Sequence, residues 1–117
     1  MNIRIVIAAV AATFVSSLAV AQYVGPSAVA PYRSVAAVLD NAPDDADVEL
    51  EGFIVQRLGK EKYLFSDGQR QIRIEIESED FPTTPVGDKT RVRIRGEVEK
   101  DFMQTPEIDV DSLTILP

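Results

Sequence analysis

The sequence predicts a small, mainly β protein, a closed barrel of five strands preceded by one short α-helix. Three observations carry this expectation. Five runs of alternating apolar and polar residues fill the chain from Asp47 to Leu116; two of them hold a glycine near the centre, Gly52 and Gly96; and a Ser66-Asp67-Gly68 turn joins the second run to the third. Alternation with period two marks a strand with one buried and one wet face. A glycine inside such a strand marks a bulge, a sharp bend or a close backbone approach. Asp-Gly between alternating runs is a strong hairpin signal. Five short antiparallel strands hide their edges best by coiling into a barrel. A two-sheet sandwich is the alternative, although five strands are few for one.

The elements follow in chain order. Residues 1–21 open with Met-Asn-Ile-Arg, continue through an apolar run from Ile5 to Val15 and end Ser16-Ser17-Leu18-Ala19-Val20-Ala21. One cation, a short apolar stretch and a small-x-small ending are the layout of a secretory signal, cleaved after Ala21. The alternative is an uncleaved anchor, since Ile5 to Ala21 lies at the lower limit of a bilayer span. Residues 22–33 carry Pro26 and Pro31 and no clear period, and read as a flexible lead-in. Ser34 is placed to cap a two-turn helix whose Val35, Val38 and Leu39 share one face, and Asn41-Ala42-Pro43 ends it. So short a helix survives only by packing on something else. The first strand runs from Asp47 with Val48, Leu50 and Ile54 on one side. Lys60 to Phe65 forms the second, and Ile72, Ile74 and Ile76 line the third. Phe81, Pro82 and Pro85 mark a loop. Lys89 to Glu99 is the fourth strand, with Val92, Ile94 and Val98 inward, and Ile108 to Leu116 is the fifth, with a bulge at Asp111-Ser112.

Composition excludes most chemistry. The 117 residues contain no histidine, cysteine or tryptophan and carry a formal charge of −7. That rules out a histidine base or metal ligand, a thiolate nucleophile, a disulfide and a thiolate zinc site. The acidic balance argues against nucleic acid and anionic membranes, which are bound by cationic surface. Residues 34–117 form one domain, whose core must hold it without cross-links.

The residues that mark the strands also resemble a known family. Gly52-Phe53-Ile54-Val55, Tyr63-Leu64-Phe65-Ser66-Asp67-Gly68, Ile72-Arg73-Ile74-Glu75-Ile76, Gly96-Glu97-Val98-Glu99-Lys100 and Ile108-Asp109-Val110 resemble the bacterial OB-fold (BOF) family, the periplasmic stress-tolerance proteins of the YgiW/YdeI type. The family's usual tryptophan after the third strand is replaced by Phe81, and the Asp-Gly turn is one residue shorter than usual. The resemblance implies a five-stranded OB barrel, a periplasmic location, a role in envelope or oxidative stress tolerance, and binding of a small or cationic ligand. It brings no catalytic residues and no cofactor, so the expectation is a non-enzymatic binding module. The rival is a regulatory module that docks another envelope protein through its helix and strand edge, with no small ligand and, after signal cleavage, no membrane segment.

Four candidate sites follow. In the OB strand order, outward Asp47, Glu49 and Glu51 face outward Arg91, Arg93 and Arg95. Arg91 and Arg93 then form either an anion-binding stripe or one side of a self-satisfied ion-pair ladder. Phe53, Val55, Tyr63 and Arg73 are the candidates for ligand contact on the face of strands two and three, where OB barrels bind with aromatics and planar cations. Against this, Tyr63 and Phe65 at period two both suit the barrel interior, and Phe53 suits its edge beneath the helix. The acidic stretch from Asp44 and Asp45 has its glycine at the wrong position for an EF-hand, so no metal site is assigned; a weak cation site at Asp44, Asp45 or the Asp109/Asp111 pair is the residual alternative. Asp67 is read as a turn former.

Overall fold

The structure, a computed structural model, describes residues 29–117. The expected export signal lies outside the described residues, as does most of the expected lead-in. Within them the chain forms α1 (Val35–Asn41), β1 (Asp47–Arg57), β2 (Lys62–Ser66), β3 (Gln71–Ile76), a single 3-10 turn (Ser78–Asp80), β4 (Arg91–Glu99) and β5 (Glu107–Ile115). The strands close in the order β1-β2-β3-β5-β4, giving an all-β, five-stranded OB barrel preceded by one short helix.

Alternation decides which side chains enter the barrel. Val48, Leu50, Ile54, Phe65, Ile72, Ile74, Ile76, Val92, Ile94, Val98, Ile108 and Val110 form one buried cluster, joined by Val35, Val38 and Ala42 from α1 and its cap. No polar or charged residue is buried among the described residues. Each fully buried aliphatic or aromatic side chain contributes about 1.5–3 kcal/mol. The helix begins as its sequence predicts: Ser34 Oγ accepts from the Ala37 N–H at 3.1 Å. A second capping contact comes from far along the chain, because Asp67 Oδ2 accepts from the Val35 N–H at 2.9 Å. The other oxygen of Asp67 accepts from the Gln69 and Arg70 N–H groups, each at 3.0 Å. Asp67 is therefore a turn former that also ties α1 to the β2–β3 hairpin. Burial raises its pKa, but the N–H groups of Val35, Arg70 and Gln69 outweigh that and hold the carboxyl below its ordinary value.

The two mid-strand glycines sit where strands cross closely. A Cβ on Gly52 would run into the Ser66 carbonyl oxygen, and one on Gly96 into the Asp109 carbonyl oxygen. Gly52 is where β1 changes partners: Asp47 to Phe53 pair with β4, and Phe53 to Arg57 pair with β2, across an irregularity between Ile54 and Gln56. Gly96 marks the β5 bulge, since Arg95 pairs with Ser112 and Gly96 with Val110, leaving Asp111 as the extra residue.

Three expectations need correction. The strands are not all antiparallel, because β3 and β5 run parallel; closing five strands in this order brings two together through a long connection, which sequence alternation cannot reveal. Asp47 does not face an arginine. It pairs with Glu97, and Arg91 pairs with Phe53, because the β1–β4 register is fixed by matching Leu50 to Ile94 in the core. The end of the lead-in is not loose: the Tyr32 N–H donates to the Asp47 carbonyl oxygen and the Glu49 N–H to the Tyr32 carbonyl oxygen, both at 2.9 Å.

Candidate functional site

The expected ligand residues do not form one patch. Arg91 and Arg93 belong to an ion-pair ladder, with Arg91 Nη2 2.8 Å from Glu51 Oε1 and Arg93 Nη2 2.8 Å from Glu51 Oε2. Glu49 lies 3.5 Å from both Arg93 Nε and Arg95 Nη2 and 3.4 Å from Arg33. The hydrogen bond from Arg93 holds the Glu51 carboxyl below its ordinary pKa, with the charges of Arg93 and Arg91 adding to it against desolvation. Arg73 stands outward opposite Leu64 and Glu107, with Nε 3.8 Å from Glu107 Oε2. Phe53, half-buried, lies opposite Ser66 and Arg91.

Tyr63 is set apart from these. It pairs with Ile74, so it shares the inward side of β2 with Phe65. Its ring meets Phe81 at 5.5 Å between centroids and 30° between planes. The Arg57 guanidinium lies 5.9 Å above the Tyr63 ring. Together with Ile54, Val55, Gln56, Val86, Gly87 and Asp88 these residues line an open cleft of about 490 Å³, which neither Phe53 nor Arg73 reaches. Phe81 thus keeps an aromatic in its loop but offers no ring N–H.

The barrel also assembles a feature that the linear sequence does not display. Asp47 on β1 pairs with Glu97 on β4, Glu97 with Asp109 on β5, Asp109 with Glu75 on β3, and Glu75 with Lys62 on β2. Four carboxylates follow one another across four strands before the first cation. One step along, Glu99 pairs with Glu107. Like charges directly opposite one another destabilise a sheet, and several of these carboxyls are pushed toward the protonated form. A hydrogen bond with Asp111, burial, and the charges of Asp111, Asp109 and Asp47 raise Glu97 to about 7. Burial and neighbouring carboxylates likewise raise Asp109 and Glu99.

Carboxylate oxygens of Glu75, Glu99 and Glu107 lie within 4.8 Å of one another. Lys62 Nζ sits against them, 2.7 Å from Glu107 and 3.5 Å from Glu75. The hydrogen bond to Glu107 raises the lysine pKa despite desolvation. Lys62, Glu99 and Glu107 line a hollow of about 140 Å³ with Asp101, Gln104 and Thr105 of the β4–β5 loop. Sequence reasoning missed Glu75, Glu99 and Glu107. Alternation places all three outward, but only the β4–β5 and β3–β5 registers bring them together. Of the acids singled out from sequence, Asp109 and Asp111 both belong to this face, whereas Asp44 instead accepts the Lys100 N–H at 2.8 Å.

Among the described residues no helix is long and apolar enough to cross a membrane. Comparison with known proteins agrees with the geometry. The family model for the bacterial OB fold (BOF) protein matches residues 17–115. The calcium-regulated OB-fold protein CarO of Pseudomonas aeruginosa is 41% identical over 96 residues, covering 82% of this chain and 81% of CarO. Protein YgiW of Escherichia coli is 37% identical over 70 residues, covering 60% of this chain and 53% of YgiW. The solved structure of E. coli YgiW superposes with a TM-score of 0.67 at 30% identity, covering 82% of this chain and 99% of that one. This kinship places the chain among periplasmic OB-fold proteins related to stress-associated ones. The chain belongs to the bacterial OB-fold (BOF) family.

Proposed function

We propose that the protein is a periplasmic binding module that takes a hard divalent cation, Ca²⁺ above others, on its β3–β5–β4 face and contributes to stress tolerance stoichiometrically. The observation that carries this reading is the trio Glu75, Glu99 and Glu107, gathered within 4.8 Å and already holding a cation, the Lys62 ammonium. Calcium takes six to eight oxygen ligands in a flexible arrangement. Glu99 and Glu107, with Asp101, Gln104 and Thr105 of the adjoining loop, offer oxygens around a small hollow, Glu75 lies against the two glutamates, and water completes the set. Lys62 then competes with the metal and is displaced when it binds. The regulation by calcium stated in the name of CarO fits this reading.

Calorimetry and thermal melts with CaCl₂, MgCl₂ and spermidine test it. At roughly 100-fold the dissociation constant, bound Ca²⁺ stabilises the fold by about 2.7 kcal/mol. Glu99→Gln with Glu107→Gln removes the shift, and Lys62→Gln strengthens it. No Ca²⁺-dependent shift in the unmodified protein, or a shift indifferent to these changes, sinks the reading.

A further inference from the structure

The β2–β3 turn holds the one Asp-Gly pair of the sequence, Asp67-Gly68, and the sequence has no Asn-Gly pair. Glycine after aspartate favours backbone isomerisation, because no side chain on the glycine shields its nitrogen from the preceding carboxyl. Gly68 is open: a Cβ there would meet nothing within 4 Å, at a φ of +96° that side chains disfavour. Yet swinging the carboxyl toward the Gly68 nitrogen breaks hydrogen bonds. Oδ1 has to leave the Gln69 and Arg70 N–H groups, and Oδ2 the Val35 N–H. The Gly68 N–H has to leave Ser66 Oγ, 3.0 Å away. The contacts with Gln69, Arg70 and Ser66 are local and belong to any hairpin with this turn. The contact with Val35 crosses 32 residues of sequence and exists only while α1 is docked.

We propose that Asp67 is a latent modification site, converted to isoaspartate when α1 lifts from the hairpin and protected while the Val35 N–H is in place. In the first step the Gly68 nitrogen attacks Cγ of the protonated Asp67 carboxyl. A C–N bond forms, and the hydroxyl leaves with the Gly68 N–H proton as water, closing a succinimide. In the second step water adds at the Asp67 main-chain carbonyl, whose bond to the Gly68 nitrogen breaks. The backbone then runs through the side-chain carbonyl, one methylene longer, and the former main-chain carbonyl is a free carboxylate. Water adding at Cγ instead restores aspartate. Losing the hydroxyl requires the neutral carboxyl, whereas the N–H donors around Asp67 favour the charged one. Val35 and Val38 are fully buried, so undocking of α1 is a rare local opening. The lesion has consequences, because a Cβ on Gly52 would lie only 2.9 Å from the Asp67 Cα. The added methylene thus has little room where β1 passes the turn, and the relocated carboxylate is out of register with the Val35 N–H. No residue of the cation site takes part, so either reading can fail alone.

Storage of the folded protein at neutral pH, well below its melting temperature, tests this when followed by peptide mass spectrometry and enzymatic methylation of isoaspartate. Val35→Pro deletes the N–H at the first position of α1, where proline suits a helix and follows an extended Ser34. Val35→Ala keeps the N–H and removes more of the side chain, so it reports destabilisation alone. Isoaspartate at Asp67 should accumulate at least about tenfold faster in Val35→Pro than in Val35→Ala. That factor is the equivalent of ~1.4 kcal/mol, the low side of a hydrogen bond to a charged group. The urea-unfolded chain should be the fastest of all. Equal rates in the two variants, an unmodified protein as fast as its unfolded chain, or isoaspartate at Asp111-Ser112 with Asp67 intact overturns the inference. Should Val35→Pro not fold, Ser34→Ala loosens the helix start without touching any partner of Asp67. It should then outpace the unmodified protein, and an unchanged rate overturns the inference equally.

Discussion

Two halves of one outer surface, divided at Gly96, are built on opposite electrostatic principles. On one side Arg91, Arg93 and Arg95 of β4 meet Glu49 and Glu51 of β1, and the charges cancel within the sheet. Two residues further along the same strand and on the same face, Glu97 meets Asp47 and Asp109. The first half is satisfied by its own chain and has little left for a ligand. The second half stores unfavourable charge that protons, Lys62 or an added cation can relieve. In an acidic protein the informative surface is therefore the one whose charges the fold leaves uncancelled, and the arginines that look most like a site are the ones already engaged.

Breaking the boundary should have the largest effect. Gly96→Ala places a methyl group against the Asp109 carbonyl oxygen, and the expected loss is about 3 kcal/mol in urea unfolding, as for severe overpacking. An unchanged midpoint would mean that the two halves are not locked in register there. Removing charge should then separate the halves by sign. Glu97→Gln relieves like charges directly opposite one another and should stabilise by about 0.5–1 kcal/mol, a rise in melting temperature of several degrees at pH 8. Glu49→Gln removes a carboxylate shared by three arginines and should lower stability by about 0.5 kcal/mol, less in high salt. If both changes move the melting temperature in the same direction, the contrast between the halves is wrong.

Titration sharpens the same comparison. Glu97 has its folded pKa raised to about 7, so the folded state binds a proton that the unfolded chain has already released. Stability therefore falls as pH rises from about 4.5 to 7, and the loss is complete above that. Glu51 and Asp67 are shifted downward, so their contribution is present above the ordinary carboxylate range and disappears only as pH falls through their lowered values. Melting temperature should peak near pH 5, and Glu97→Gln should flatten the alkaline side of the peak without altering the acid side.

Much of this was legible from the chain. Val48, Leu50, Ile72, Ile74, Ile76, Val92, Ile94 and Val98 declare their side by alternation, because a strand gives successive side chains to opposite faces. Ser34 announces the helix start, and the glycines announce the crossings. The candidate site was less legible. Phe53, Tyr63 and Arg73 all suit ligand contact by residue type, yet Tyr63 shares its side with Phe65 while Arg73 faces Glu107. Asp67 reads as a turn residue, and its bond to the Val35 N–H spans 32 residues of sequence that no local pattern measures.

The linear order of residues determined which side chains are wet, where the chain turns, and that the surplus charge is negative, because these follow from period, residue size and composition. The closed barrel decided which wet side chains are neighbours. Register between strands distant in sequence is fixed by packing the inner layer, and the outer layer inherits it. That inheritance is why Glu51 finds arginines while Glu75, Glu99 and Glu107 find one another.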